Sequence, residues 1–243
     1  MRRQALFWLV FLAAAVAAWS ATRALPTAAR AFTVFLLVPL PPLTWWQARL
    51  AEAAPEAVSR RALYLSSAVA LWGLAAATVM AARASAIPPD VLGIRPVPLG
   101  AAIGWAAGAT VTGLAVLVLA RALNVRETRT VAYLIPVTPR EKVGFAFLSL
   151  TAGVTEELVF RGFLLSALQR AAGSLLPALL ATSLVFGLLH AYQSSSGALR
   201  ATLLGALLAA PVVATGSIYP AMAAHAAIDL VSGLILAPYL VDR

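Results

Sequence analysis

The sequence predicts an all-α, polytopic transmembrane bundle of about eight helices, on three observations. Hydrophobic residues make up 62% of the 243-residue chain, whereas charged residues make up only 11%. Soluble domains carry about a quarter charged residues, so the chain is not an ordinary soluble protein. The apolar residues also form long runs, and most of these runs approach the ~20 residues that a helix needs to cross a bilayer.

Eight apolar segments are the candidate helices, and together they predict a single integral membrane domain over residues 1–243. The segments are 5–22, 31–47, 61–82, 98–120, 143–170, 174–192, 198–215 and 217–239. The second segment contains Pro39, Pro41 and Pro42, which are expected to break or kink a helix. The polar connection at 121–142 is the only sizeable one, so we expect no soluble domain.

Two of these segments carry patterns with a second interpretation. The segment 5–22 follows two arginines and ends in small residues, as secretory signal peptides do. We favour a first membrane helix, because a chain embedded throughout needs no cleaved leader. In the segment 98–120, Gly100, Gly104 and Gly108 are spaced by four, which predicts the close approach of another helix and no chemistry.

The basic residues predict the orientation of the protein in the membrane. The net charge is +9, and 12 of the 18 basic residues lie in connections on the side of the N-terminus, against 5 on the other side. Because basic connections stay in the cytoplasm, we expect a multi-pass inner-membrane protein with both termini cytoplasmic. Their position between apolar runs favours contacts with lipid headgroups over nucleic-acid binding.

The residues best suited to proton transfer lie inside apolar segments. They are Glu156, Glu157, Asp229, His190 and His225, the last two being the only histidines. A charged side chain at the centre of a membrane helix costs ~2.5–3.5 kcal/mol on the insertion scale. Such residues normally face a polar cavity and mark function. The chain has no cysteine, which excludes a thiolate zinc site or a cysteine nucleophile.

The first charged cluster divides into a pair and a separate carboxylate. Glu157 and Arg161 are four residues apart, so they share a helix face and can form an ion pair. Glu156 lies about 100° round the helix from Glu157, which leaves it to face a cavity as a candidate general base. The alternative is that all three residues form a buried ionic network with a structural role only.

Two further pairs are spaced by four residues. Phe186 and His190 share one helix face, although a single histidine near a helix end is more often a hydrogen-bonded residue than a catalyst. His225 and Asp229 share another, a spacing that allows the carboxylate to orient the ring, allows both to face one cavity, or suits a metal site. A buried hydrogen-bonded pair is the alternative. Together the segments predict one site that deprotonates a water, with or without a metal ion.

Three short motifs in the sequence resemble those of a known protein family. The sequences EELVFR at 156–161, FGLLH at 186–190 and HAAID at 225–229 are similar, in kind and order, to the motifs of the CPBP (CAAX protease and bacteriocin-processing) intramembrane endopeptidases. The resemblance covers about residues 136–236, and the N-terminal half is similar only as apolar helices. It implies a helical bundle with a polar cavity that hydrolyses a peptide bond of a membrane-associated, CAAX-type substrate, which is prenylated in eukaryotes.

The resemblance also implies roles for the site residues. Glu156 and His190 activate the attacking water, and His225 and Asp229 stabilise the oxyanion. The eukaryotic pattern has asparagine at the position of Asp229, and a carboxylate donates a hydrogen bond only when protonated. The role of Asp229 is therefore left open.

Supporting roles and a cofactor alternative follow from the same resemblance. Glu157 and Arg161 brace the site or bind the substrate carboxylate, and Phe186 supports the second motif. The family has been described both as metalloproteases and as glutamate-dependent proteases. A zinc site made of Glu156, His190 and His225 is thus the alternative to a metal-free mechanism.

Two other function classes are alternatives to the endopeptidase. One is a non-catalytic membrane scaffold or immunity protein of the same fold, against which the intact motifs argue. Another is a transporter or proton relay that uses the same buried carboxylates. The two halves of the chain show no repeat of the kind expected for many transporters. The arginine- and alanine-rich composition suggests a bacterial or archaeal membrane.

Overall fold

Helices account for 82% of the chain in a computed structural model, which describes residues 2–53, 55–125 and 127–240. No strand is present in these ranges. The α-helices are α1 (Arg2–Ala21), α2 (Thr27–Leu37), α3 (Leu40–Ala53), α4 (Arg60–Ala84), α5 (Leu99–Ala122), α6 (Arg129–Leu134), α7 (Pro139–Glu157), α8 (Leu165–Ala172), α9 (Leu175–Leu189), α10 (Ser195–Thr215), α11 (Tyr219–Leu234) and α12 (Ala237–Leu240).

Most of the predicted membrane segments are recovered as apolar helices. Within the described part of the chain, the segments long and apolar enough to cross a membrane are Thr27–Arg49, Arg60–Ala84, Leu99–Ala122, Pro139–Ala172 and Ser195–Thr215. Leu6–Ala21 and Leu175–Leu189 are shorter apolar helices. With α11 they correspond to the eight segments expected from the sequence, and the polytopic helical bundle is confirmed.

The prolines of the second predicted segment break the helix, as expected. The helix α2 ends at Leu37 and α3 begins at Leu40, with Pro39 in the break. On α3, Trp45 and Trp46 are exposed, and the Arg49 guanidinium lies 5.5 Å from the centre of the Trp45 ring. Exposed tryptophans beside an arginine are typical of the membrane interface.

The helix α7 begins at a defined N-terminal cap and lies in the middle of the bundle. Thr138 and Glu141 form a reciprocal capping box, and Pro139 occupies the first turn. The helix packs against α4 and α11. Near its end, a Cβ atom on Gly153 would lie 2.8 Å from the Ala226 backbone nitrogen, so only glycine allows this approach. The end of α7 therefore lies directly against α11.

Residues 158–164 form a π-helix between α7 and α8, which the sequence did not predict. Most of this segment is buried, and the N–H of Leu165 bonds to the carbonyl of Phe160. The i→i+5 pattern widens the helix locally, and such segments are frequent at functional sites. This segment follows the two glutamates directly, and Arg161 lies in its middle.

The predicted helix contact at the glycines of α5 is wrong within this chain. Gly100, Gly104 and Gly108 are exposed, and no described atom lies within 4 Å of the position that a Cβ would take on any of them. The opposite situation holds at Gly113, where a Cβ would collide with Ile228. On α5, therefore, Gly113 faces α11, and the three spaced glycines do not.

The polar connection after α5 folds back onto the ends of α4 and α10. The Arg60 guanidinium donates to the Tyr133 carbonyl at 2.5 Å, and the Tyr64 hydroxyl donates to the Leu134 carbonyl at 2.7 Å. Arg200, at the start of α10, forms two hydrogen bonds with Glu127 at 2.6 and 2.9 Å. The connection is therefore attached to the bundle at both ends of α6. Arg126, a basic residue of the orientation argument, lies outside the described residues.

Candidate active site

Glu157 lies at the centre of a buried ionic cluster. Its Oε1 atom accepts a hydrogen bond from Arg161 Nη1 at 2.8 Å and lies 2.7 Å from His225 Nδ1. The side chains of Arg161 and Glu157 are 1% and 0% exposed, so the pair is fully removed from lipid and water. The ion pair expected from the i, i+4 spacing is present. The bond to His225 is an additional partner that the sequence did not indicate.

Arg161 connects the cluster to two more helices. Its Nη2 atom donates to the carbonyl of Gly205 on α10 at 3.0 Å, and its guanidinium lies 4.4 Å from the centre of the Phe186 ring on α9. A buried cation needs several such partners to offset the loss of hydration. Arg161 therefore ties the π-helical segment to the two helices that frame the site.

The Phe186 ring brings the second and third motifs together. Its centroid lies 4.5 Å from that of the His190 ring and 6.0 Å from that of the His225 ring. Phe160 packs edge-on against the same ring at 5.2 Å. The two histidines are 35 positions apart in sequence, but both rings contact the ring of Phe186. One shared site requires such proximity.

The His190 ring has a defined tautomer. Its Nδ1 atom lies 2.7 Å from the Phe186 carbonyl oxygen, which can only accept, so Nδ1 carries a hydrogen. In the neutral ring the lone pair then lies on Nε2. His190 is only half-buried. Its Nε2 is therefore available to bind a water and to accept a proton from it.

Glu156 differs from its neighbour in having no hydrogen bond to any described residue. Its Oε2 atom is buried, and the residue as a whole remains partly accessible. Buried polar atoms in proteins nearly always have a partner, so this oxygen is expected to bind water or substrate. The Oε2 atom of Glu157 also has no partner, but its Oε1 atom is held by Arg161 and His225. Glu156 makes no hydrogen bond to His190, and a water shared between them stays a prediction.

Asp229 lies beside His225 but is not its hydrogen-bond partner. The distance from His225 Nε2 to Asp229 Oδ2 is 3.8 Å, longer than a hydrogen bond, and the Asp229 side chain is 36% exposed. The carboxylate that orients the ring is Glu157 instead. The sequence interpretation used the i, i+4 neighbour, whereas the actual partner is 68 residues away in the chain.

The residues of the zinc alternative are not gathered into a metal site. Across the described ranges, no group of three His, Cys, Asp or Glu side chains is arranged to hold a metal ion. The alternative of Glu156, His190 and His225 as ligands therefore does not fit this arrangement.

The fold and the site define a helical membrane protein with two glutamates and two histidines gathered in its interior. Residues 139–231, which include all three motifs, match the family model described as Type II CAAX prenyl endopeptidase Rce1-like. This match supports a CPBP, CAAX-type protease assignment for residues 139–231, in agreement with the three motifs. The curated proteins and the solved structures gave no significant match. The matched family model implies a protease, which is a hydrolase.

Proposed function

We propose that the protein is an intramembrane endopeptidase that hydrolyses a peptide bond of a membrane-associated, CAAX-type substrate. The contrast between two adjacent glutamates carries the proposal. Glu157 is bound by Arg161 and His225, whereas Glu156 has no protein partner. A carboxylate kept free among imidazoles suits a general base, and a purely structural network would use both glutamates.

In the proposed reaction, Glu156 takes a proton from a water held with His190 Nε2. The water oxygen then forms a bond to the carbonyl carbon of the substrate, and the carbonyl electrons move to its oxygen. When this tetrahedral intermediate collapses, the C–N bond breaks and Glu156 returns the proton to the leaving nitrogen. The products are a carboxylic acid and an amine, and Glu156 ends in its starting state.

His225 is the proposed donor to the oxyanion. Glu157 accepts from Nδ1 and fixes the ring, so a ring protonated on both nitrogens presents its Nε2–H to the intermediate. A donor held in place before the reaction stabilises the developing charge without further reorganisation, and one such donor is worth ~10²–10³ in kcat. Glu157 and Arg161 brace this arrangement.

The remaining assignments follow from the composition and the family. The enzyme would act in the inner membrane of a bacterium or archaeon, with both termini cytoplasmic, on a lipidated or membrane-inserted peptide. The apolar helices and the basic connections support this location and favour lipid over nucleic acid as the partner.

A peptidase assay on purified variants tests the proposal. The protein is purified in detergent and incubated with a prenylated CAAX reporter peptide, as wild type, Glu156→Ala and His190→Ala. We expect cleavage by the wild type and none by either variant. The matched control is Asp90→Asn, an exposed carboxylate in the loop before α5, which should cleave at the wild-type rate.

Each other outcome has a defined meaning. Cleavage that survives Glu156→Ala contradicts the assigned base. Absence of cleavage of prenylated and unprenylated membrane peptides by the wild type refutes the endopeptidase and favours the non-catalytic scaffold or immunity protein.

A further inference from the structure

The short 3₁₀-helix Ala191–Gln193 carries two polar side chains that the proposed reaction does not use. It follows His190 directly in the chain. The centroid of the Tyr192 ring lies 6.0 Å from that of the His190 ring, with an angle of 31° between the planes. The phenol therefore flanks the imidazole that is proposed to hold the attacking water.

The Tyr192 hydroxyl has an unused hydrogen. Its oxygen accepts a hydrogen bond from Gln193 Nε2 at 3.1 Å, and no acceptor for its own O–H is found among the described residues. A phenol ionises at about pH 10, so Tyr192 keeps its proton at neutral pH and remains a donor.

A network behind the phenol fixes the orientation of Gln193. Arg200 Nη2 donates to Gln193 Oε1 at 3.3 Å, so the amide oxygen is used by a cation and the amide nitrogen is turned to Tyr192. Arg200 is held in turn by two hydrogen bonds to Glu127, and both of these side chains are only 10% exposed. Hydrogen bonds in such a chain polarise one another, which strengthens the final donor.

The chemistry of the proposed reaction calls for a further donor to the oxyanion. Asp229, the residue beside His225, cannot donate a hydrogen bond as a carboxylate. An oxyanion stabilised by His225 alone would lack one of the donors that acyl-transfer sites usually supply.

We infer that Tyr192 is a further catalytic residue, whose O–H donates to the oxyanion formed during peptide hydrolysis. Gln193 and Arg200 act as positioning residues for that phenol. The inference rests on the proposed function, because it assigns a role within the same reaction.

The test is the pair Tyr192→Phe and Tyr219→Phe, measured with the reporter peptide beside wild type and Glu156→Gln. Phenylalanine keeps the ring, so we expect Tyr192→Phe to lower kcat by ~10²–10³ with KM and melting temperature unchanged. Tyr219→Phe, at an exposed position, should match the wild type. Because an amide can donate, Asp229→Asn should return part of the lost kcat to Tyr192→Phe.

A second measurement replaces Tyr192 with fluorotyrosines of graded acidity, which preserve its shape. We expect kcat to change steadily with the acidity of the phenol, a trend that a packing role would not produce. If the wild type cleaves, Glu156→Gln is inactive, and Tyr192→Phe retains kcat within twofold, the inference is wrong and the proposed function stands. A lowered melting temperature or a raised KM with unchanged kcat in Tyr192→Phe also overturns it. Failure of the wild type to cleave overturns both.

Discussion

Glu157 and His225 are joined by a 2.7 Å contact between Oε1 and Nδ1, although they lie 68 residues apart in the chain. The same oxygen accepts from Arg161 at 2.8 Å. One glutamate of the EE pair is therefore consumed in holding the site together. The other, Glu156, is left without a protein partner.

Arg161→Ala should destabilise the fold as well as abolish cleavage. Removing the guanidinium leaves buried Glu157 with His225 as its single remaining partner, and breaking one side of a buried ion pair typically costs ~3–5 kcal/mol. We expect a lower folded yield and a lower melting temperature in detergent. The control is Arg170→Ala, an exposed arginine in the last turn of α8, which should behave as wild type. A normal melting temperature for Arg161→Ala would contradict the structural role of the pair.

Glu156→Gln and Glu157→Gln should have different effects although they are adjacent and isosteric. Glu156 has no hydrogen bond to lose, so its substitution should reduce kcat by at least ~10² and leave the melting temperature unchanged. Glu157→Gln removes the charge that Arg161 and His225 share, so its melting temperature should fall. The two are compared by thermal melts and reporter cleavage in one preparation. Equal melting temperatures for both would show that the division between them is wrong.

The sequence indicates the local part of this site well. Burial of apolar surface and the 3.6-residue repeat decide where the membrane helices lie, and the i, i+4 rule identifies the Glu157–Arg161 pair. The break at Pro39 follows from proline chemistry in the same way. Each of these features depends on residues close together in the chain, so no knowledge of helix packing is required.

The features that were missed depend on how helices pack. The Glu157–His225 bond exists because Gly153 lets α7 approach α11, and no local rule connects those positions. The π-helix after Glu157 likewise has no recognised sequence signal. The Arg200–Gln193–Tyr192 network was missed because it depends on how α10 packs against the 3₁₀-helix Ala191–Gln193.

Gly153→Ala should damage the site from a distance. A Cβ at this position would lie 2.8 Å from the Ala226 backbone and the Met222 carbonyl, so α7 and α11 must separate. Overpacking of this kind costs ~1–3 kcal/mol, and it should lower both the melting temperature and kcat because Glu157 moves from His225. The matched control is Gly104→Ala on α5, which meets open space and should leave both values at or above wild type. Equal behaviour of the two variants would contradict this helix contact.

Chelation should leave cleavage intact. No described group of three acidic, histidine or cysteine side chains is arranged to hold a metal ion, and the proposed steps use only the side chains and water. The purified protein is treated with a strong zinc chelator, dialysed, and assayed with and without added Zn²⁺. Loss of activity that returns with zinc would support the zinc site formed by Glu156, His190 and His225. Metal analysis of the dialysed sample separates a removed ion from a retained one.

Asp229→Asn should keep or increase kcat, whereas Asp229→Ala should lower it. The carboxylate lies 3.8 Å from His225 Nε2, on the side of the ring where the oxyanion is proposed to form. A negative charge there opposes the developing oxyanion, while the amide of asparagine can donate to it. Because Glu157 still orients the ring, loss of the Asp229 carboxylate should not disturb His225. Initial rates with the reporter peptide, at matched melting temperatures, decide the question. A loss of activity in Asp229→Asn as large as that in Asp229→Ala would show that the carboxylate itself is needed.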